Sequence, residues 1–182
     1  LRRCLNLSEK NKDLAHLAIL GAVGDTQEVK GFIGLNNKIL QDAISSDKIE
    51  VKVGLRMFGS QTRPLYKVLE YSTDPYIPGI TGDERSAMEF LAGIGIDYNK
   101  KLIHLSETEL KDLIAAIIIK RMGSEEEPED VLGNIYLLKE EIEESPTKDL
   151  KEFSTLLNSC GRLNKPSLGI GTCLNDEKSK KE

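Results

Sequence analysis

Ile49-Glu-Val-Lys-Val-Gly-Leu-Arg-Met57 alternates apolar and non-apolar residues without a break. That period of two is the signature of a strand with one face toward a core, because successive side chains point to opposite sides of an extended chain. Upstream the period changes. From Asp13 to about Ala22, Leu14, Leu17, Ala18 and Gly21 recur at helical spacing. From Gly34 to about Ser46, Leu35, Ile39, Leu40 and Ala43 form a second inward stripe. A strand preceded by two helices excludes an all-α or all-β chain and sets the class as α/β, α+β overall.

Downstream, Gly59 to Gly82 is rich in Gly, Pro, Tyr and Thr and reads as an ordered linker. Pro75 and Pro78 bar a regular helix from Tyr71 to Gly79. Thr81-Gly-Asp-Glu84 has capping-box spacing ahead of a face made by Ala87, Phe90, Leu91 and Ile94. Ser106-Glu-Thr-Glu109 repeats that spacing before Leu110, Leu113, Ile114, Ile117 and Ile118, and Gly123 supplies the stop. Ser124 to Asp130 is a charged loop, Ile135 to Leu138 a buried strand, and Thr147 the cap of a helix facing inward through Leu150, Phe153, Leu156 and Leu157. Ser167 to Leu174, with Gly169 and Gly171, reads as a further strand.

Bulk properties narrow the function classes. The 182 residues suffice for one sizeable core or two small ones. No run of about 18 apolar residues exists, so a membrane span is not expected. The start, Leu1-Arg-Arg-Cys-Leu5, has neither an initiator Met nor the apolar core of a signal peptide, and the end reads as a helix cut short, so the chain is read as a piece of a longer protein. Three Cys without Cys-x-x-Cys spacing argue against a disulfide framework or zinc site and for a reducing, cytoplasmic location. A net charge of −5 gives no global basic footprint, so nucleic-acid contact requires a local patch, and weak single-strand affinity is expected.

Four constellations could carry chemistry. Leu17-Ala-Ile-Leu-Gly-Ala-Val-Gly-Asp-Thr-Gln27 delivers one acid, Asp25, amid Gly21, Ala22 and Gly24. Gly-Asp is a common turn, and a carboxylate is also a hard-cation ligand, so both readings stand. In Asn158-Ser-Cys-Gly-Arg162 a helix ends: either Gly161 permits a tight turn and Arg162 projects beyond it to fork onto phosphate, or Gly161 is the helix stop and Arg162 faces the negative helix end. Phe90-Leu-Ala-Gly-Ile-Gly-Ile96, with Lys100 and Lys101 nearby, is similar to the turn of a helix-hairpin-helix, whose amides can meet DNA phosphates, or else it is a Gly-terminated helix. His16 and His104 are isolated, and Cys160 lacks a paired His, so none is read as catalytic.

Taken in order, several pieces resemble the archaeal branch of the RecJ-like DHH phosphoesterases. They are Gly21 to Gln27, Gly34-Leu-Asn36, Phe58-Gly59 with Thr62-Arg-Pro-Leu65, Ser72 to Gly79, Tyr136 to Glu140, and Glu152 to Arg162. The resemblance implies the end of a parallel-sheet DHH catalytic domain over 1–60, a largely helical connecting segment over 61–130, and the start of a mixed-sheet DHH-associated nucleic-acid-binding domain over 131–182. It also implies a single-strand exonuclease of repair or replication, with a two-metal Mn or Mg site activating water. Asp25 matches a late metal-ligand Asp and is thereby the catalytic candidate. Asn158, Gly161 and Arg162 match positions touching substrate phosphate. The family's Asp-x-Asp and Asp-His-His motifs are absent, so the remaining ligands are expected outside the chain. Implied partners are single-stranded DNA or RNA and a GINS complex, with no membrane. A non-catalytic replisome scaffold and a small-nucleotide phosphodiesterase are the alternatives.

Overall fold

The alternation at Ile49 becomes strand β1, Ile49–Leu55, which pairs antiparallel with β2, Leu132–Leu138, in a two-stranded sheet. The computed structural model describes residues 9–29 and 31–181. The Arg56 N–H donates to the Val131 carbonyl at 2.8 Å, and the Lys139 N–H to the Lys48 carbonyl at 3.0 Å. These bonds bracket the ladder and set Val51 opposite Tyr136. The class is therefore α+β, as the sequence implies. Among the described residues this antiparallel ribbon is the named sheet. The parallel and mixed sheets implied by the resemblance are not seen there.

The chain forms two compact units. One holds residues 1–52, 136–142 and 146–182, and the other holds 53–135 and 143–145. In the first, α1 (Ala15–Gly24) packs on α2 (Gly34–Ser45) and on α6 (Leu150–Arg162), and α6 packs on α7 (Pro166–Cys173). Its core joins Ile19, Leu20 and Val23 of α1, Leu40 and Ala43 of α2, and Leu150 and Phe153 of α6 with Ile49, Tyr136 and Leu138 of the ribbon. Leu35 and Leu156, expected inward, are exposed. Asp149, not Thr147, caps α6, accepting from the N–H groups of Lys151 and Glu152, because Thr147 is buried and spends its hydroxyl on Glu141.

The second unit contains α3 (Leu65–Glu70), α4 (Glu84–Gly93) and α5 (Glu107–Arg121). The segment expected to be a linker supplies much of its core: Leu65, Val68, Leu69, Ile77 and Ile80 are fully buried beside Ala87, Leu91, Leu113 and Ile117. Composition suggests a surface run, yet its few aliphatic side chains all turn inward, while Tyr71 and Tyr76 stay exposed. Val53 opens this unit and is 79% exposed, so the inward stripe expected of β1 is broken there. The Ser106 capping box closes with both reciprocal bonds, and Lys100 joins Ser106 in holding the Glu109 carboxyl down at about 2, Lys100 acting most strongly. At α4 the cap is Asp83 rather than Thr81, because the Asp83 carboxylate reaches the Ser86 N–H at 3.1 Å. Arg121, buried in the last turn of α5, pairs with Asp130 at 2.6 Å and ties the charged loop to the helix end.

Ser167 to Leu174 is helix, not strand. Pro166 supplies a prepared first-turn φ and Gly169 lets α7 lie against Leu157 and Cys160 of α6, so tertiary packing overrides the weak helix propensity of two glycines. Five helices end alike. After α1, α2, α4, α6 and α7, the left-handed residue is Thr26, Asp47, Gly95, Asn164 and Asn175. The amide of each left-handed residue and the amide after it bond back into the last turn, the pairing of a Schellman motif. Thr26, at φ 55°, is the β-branched member of the set, and such a residue strains in that region by roughly 1–2 kcal/mol. Thr26→Gly is expected to raise unfolding free energy by about 1 kcal/mol in urea titration. An unchanged or lower midpoint would show that the turn carries no strain.

Candidate functional site

The site begins where α1 stops. The amides of Asp25, Thr26 and Gln27 bond to the carbonyls of Gly21, Val23 and Ala22 at 3.1, 3.0 and 3.0 Å, which turns the chain sharply and leaves the Asp25 side chain exposed. Gln27 Nε2 donates to Asp25 Oδ2 at 3.3 Å, and Asn36 Nδ2 of α2 donates to Gln27 Oε1 at 2.6 Å. An amide relay therefore runs from α2 to the carboxylate. Gln27 and Asn36 lie in two separate matching pieces of sequence, but their connection across nine positions is visible only in the fold.

α6 passes close to Gly24: a Cβ placed there would touch Ser154 Cβ at 3.4 Å, about van der Waals distance. The two helices then flank a groove of about 250 Å³, with Asp25 and Gly21 on one wall, Ser154, Leu157 and Asn158 on the other, and Cys173 of α7 beside them. Asp25 and Asn158 are thus brought to one groove. Gly161 and Arg162 do not line it. They follow Asn158 by three and four residues, however, so all three share one side of α6, and all three are exposed. Among the described residues Arg162 has no ion-pair partner.

Gly161 is not the helix stop expected from its neighbourhood. α6 continues through Arg162, Leu163 caps it, and Asn164 takes the left-handed position at φ 56°. Asn does this at lower cost than other non-Gly residues, which frees Gly161 to remain helical. A Cβ at Gly161 would meet nothing within 4 Å. Gly161→Ala is therefore expected to stabilise the chain by about 0.5–1 kcal/mol by thermal melting, through lower unfolded-state entropy. A loss of stability would reveal a packing role.

The other candidates resolve differently. Phe90 to Ile96 forms the Schellman end of α4, where the Gly95 and Ile96 amides bond to Ala92 and Leu91 at 3.0 Å each and Ile96 is buried. Those amides are spent inside the chain, and Lys100 and Lys101 are paired with Glu109 and Glu144. The arrangement is a helix stop and not a phosphate cradle. His104 Nε2 lies 3.0 Å from Glu144, and His16 Nδ1 lies 2.7 Å from the Asp13 carbonyl. Burial lowers the pKa of His16, and burial beside Cys160 raises that of the Cys173 thiol, which disfavours its thiolate. Among the described residues no group of three or more His, Cys, Asp or Glu comes together that could hold a metal.

At the start of α6, burial lifts the Asp149 carboxyl to about 6, and the nearby Glu152 charge adds to the rise against the two capping amides. An acid with a raised folded pKa favours folding while protonated. Its contribution is full below the unfolded value of 3.8 and is lost as pH rises to about 6. Asp149→Asn keeps the cap and removes the charge. It is expected to gain about 2 kcal/mol at pH 7.5 and to lose the wild-type decline between pH 4 and 6 in denaturant titrations. Parallel pH curves for the two proteins would contradict this.

Residues 57–133 match the DHH-CID domain, a span lying wholly in the second unit. The chain is also 34% identical, over 91% of its length, to an uncharacterized protein of Methanocaldococcus jannaschii. It spans 35% of that relative's length. Among the described residues no helix is long and apolar enough to cross a membrane.

Proposed function

We propose that this chain is part of a divalent-metal-dependent phosphodiesterase of the DHH superfamily that trims single-stranded DNA or RNA from an end. The observation that carries the reading is the match of residues 57–133 to the DHH-CID domain. The ordered pieces on either side of that span support it, since Asp25 and Asn158, 133 positions apart, border one groove in the first unit. In this reading Asp25 is one ligand of Mn or Mg. Asn158 and Arg162 contact the substrate phosphate, and Gly161 between them leaves α6 bare enough for the strand to approach.

The groove wall offers one carboxylate. A metal, when bound, would supply an activated water for attack on phosphorus. The described residues do not complete such a site, so no hydrolytic step is assigned to them. Their part is to present one acid on a rigid turn and a neutral-then-cationic face along α6.

In the full-length protein, Asp25→Ala is expected to reduce Mn-dependent cleavage of a single strand by more than the roughly 10–100-fold that loss of an outer partner costs. Arg162→Ala is expected to raise KM while kcat is held. Wild-type cleavage rates in the Asp25 variant would overturn the assignment.

A further inference from the structure

Arg63 and Lys67 each lie over two aromatic rings, but of the two only Arg63 offers a planar guanidinium. Its guanidinium carbon lies 5.1 Å from the Phe58 ring centroid and 5.0 Å from that of Tyr71, so two aromatic rings border one planar cation. The stem is fixed too. Gly59 has φ 88°, and a Cβ there would collide with Arg63 Cδ at 2.7 Å, so only glycine admits the Arg63 side chain in this position. The amides of Thr62 and Arg63 close the turn by bonding to the Gly59 carbonyl at 3.2 and 2.9 Å. Arg63 is therefore preorganised by its own turn.

Its charge, by contrast, is unspent. Among the described residues no carboxylate pairs with Arg63, whose side chain is half-buried. The neighbouring Lys67, 5.4 Å from the Tyr71 ring, differs: Glu70 and Glu84 hold it at 2.8 and 2.6 Å and raise its pKa. Those two acids are thereby engaged by Lys67. Tyr71 is 49% exposed, which leaves aromatic surface at the edge of the cation. A planar fork fixed on aromatic rings, with donors left over, suits a tetrahedral oxyanion, and exposed tyrosine beside it suits an unpaired base.

We propose that Arg63, set between Phe58 and Tyr71, binds a backbone phosphate of a single nucleic-acid strand, with Tyr71 offering a ring to the adjoining base. This rests on the reading of the protein as a phosphodiesterase and adds a strand contact in the second unit, separate from the groove of Asp25.

The test is fluorescence anisotropy of a labelled oligo(dT) strand with the full-length protein, without added metal, over a series of salt concentrations. Arg63→Gln is expected to weaken binding about tenfold and to lower the slope of log K against log salt by about one. Arg63→Lys restores the slope, since the charge returns, and leaves affinity below wild type because the fork is lost. Melting temperatures are followed for each variant. Competition with inorganic phosphate separates a strand site from a general anion site. The proposal is overturned if wild-type protein does not bind the strand, if both variants bind as wild type does, if affinity falls only in step with melting temperature, or if Arg63 matters for inorganic phosphate alone. An Asp25→Ala protein that loses cleavage while Arg63→Gln binds normally sinks this inference and spares the catalytic reading. Arg63-dependent binding of a strand that is never cut does the reverse.

Discussion

The pairing of β1 with β2 is the constraint on which the rest depends. It joins residues about 80 positions apart, and the entropy of closing so long a loop must be met by contacts that only the closed chain can make. Each unit provides its own. In one unit, Leu55, Leu65, Leu91, Leu113 and Val131 collect around α3, α4 and α5. In the other unit, Ile49, Tyr136 and Leu138 meet α1, α2 and α6, with the Phe32 and Tyr136 rings 5.1 Å apart. A ribbon of two strands has little stability by itself, so the ladder and the cores are mutually required.

Helix ends decide where functional groups sit. Schellman turns consume the last amides, and the residue at each cap is consequently fixed in direction. At α1 that residue is Asp25, presented outward with an amide relay behind it. At α4 the same motif spends the amides that a phosphate would otherwise find. One backbone device thus exposes a side chain in one place and removes an anion-binding turn in another. The difference lies in the residue before the left-handed position: a carboxylate at Asp25, an apolar side chain at Ile94.

The candidate site is a product of helix geometry and small residues. α1 and α6 come close at Gly24 and Ser154, and the spacing of Asn158, Gly161 and Arg162 gives α6 one exposed polar side leading away from the Asp25 groove. Near the start of the same helix the Asp149 carboxyl is buried near Glu152, so the element carrying these residues also carries an electrostatic cost at neutral pH. Substitutions at this cap therefore act on the stability of α6, whereas those at its exposed end act on the side offered to a ligand.

The sequence by itself determined that β1, α2, α4, α5 and α6 exist, because each has a regular period that needs no distant partner, and it located the Ser106 box of α5. The caps of α4 and α6 and the exposure of Val53, Leu35 and Leu156 were set by the fold. It also carried the ordered pieces that point to a DHH relation. Only the tertiary structure decided the rest. The Gly- and Pro-rich run from Gly59 to Gly82 became core because its scattered apolar residues found partners on α4 and α5, which no window of composition reveals. Ser167 to Leu174 became helix because Gly169 fits against α6, a contact between helices rather than a property of either. The meeting of Asp25 with Asn158, and of Arg63 with Phe58 and Tyr71, came from packing as well, since distance along the chain says nothing of distance through space until the cores have closed.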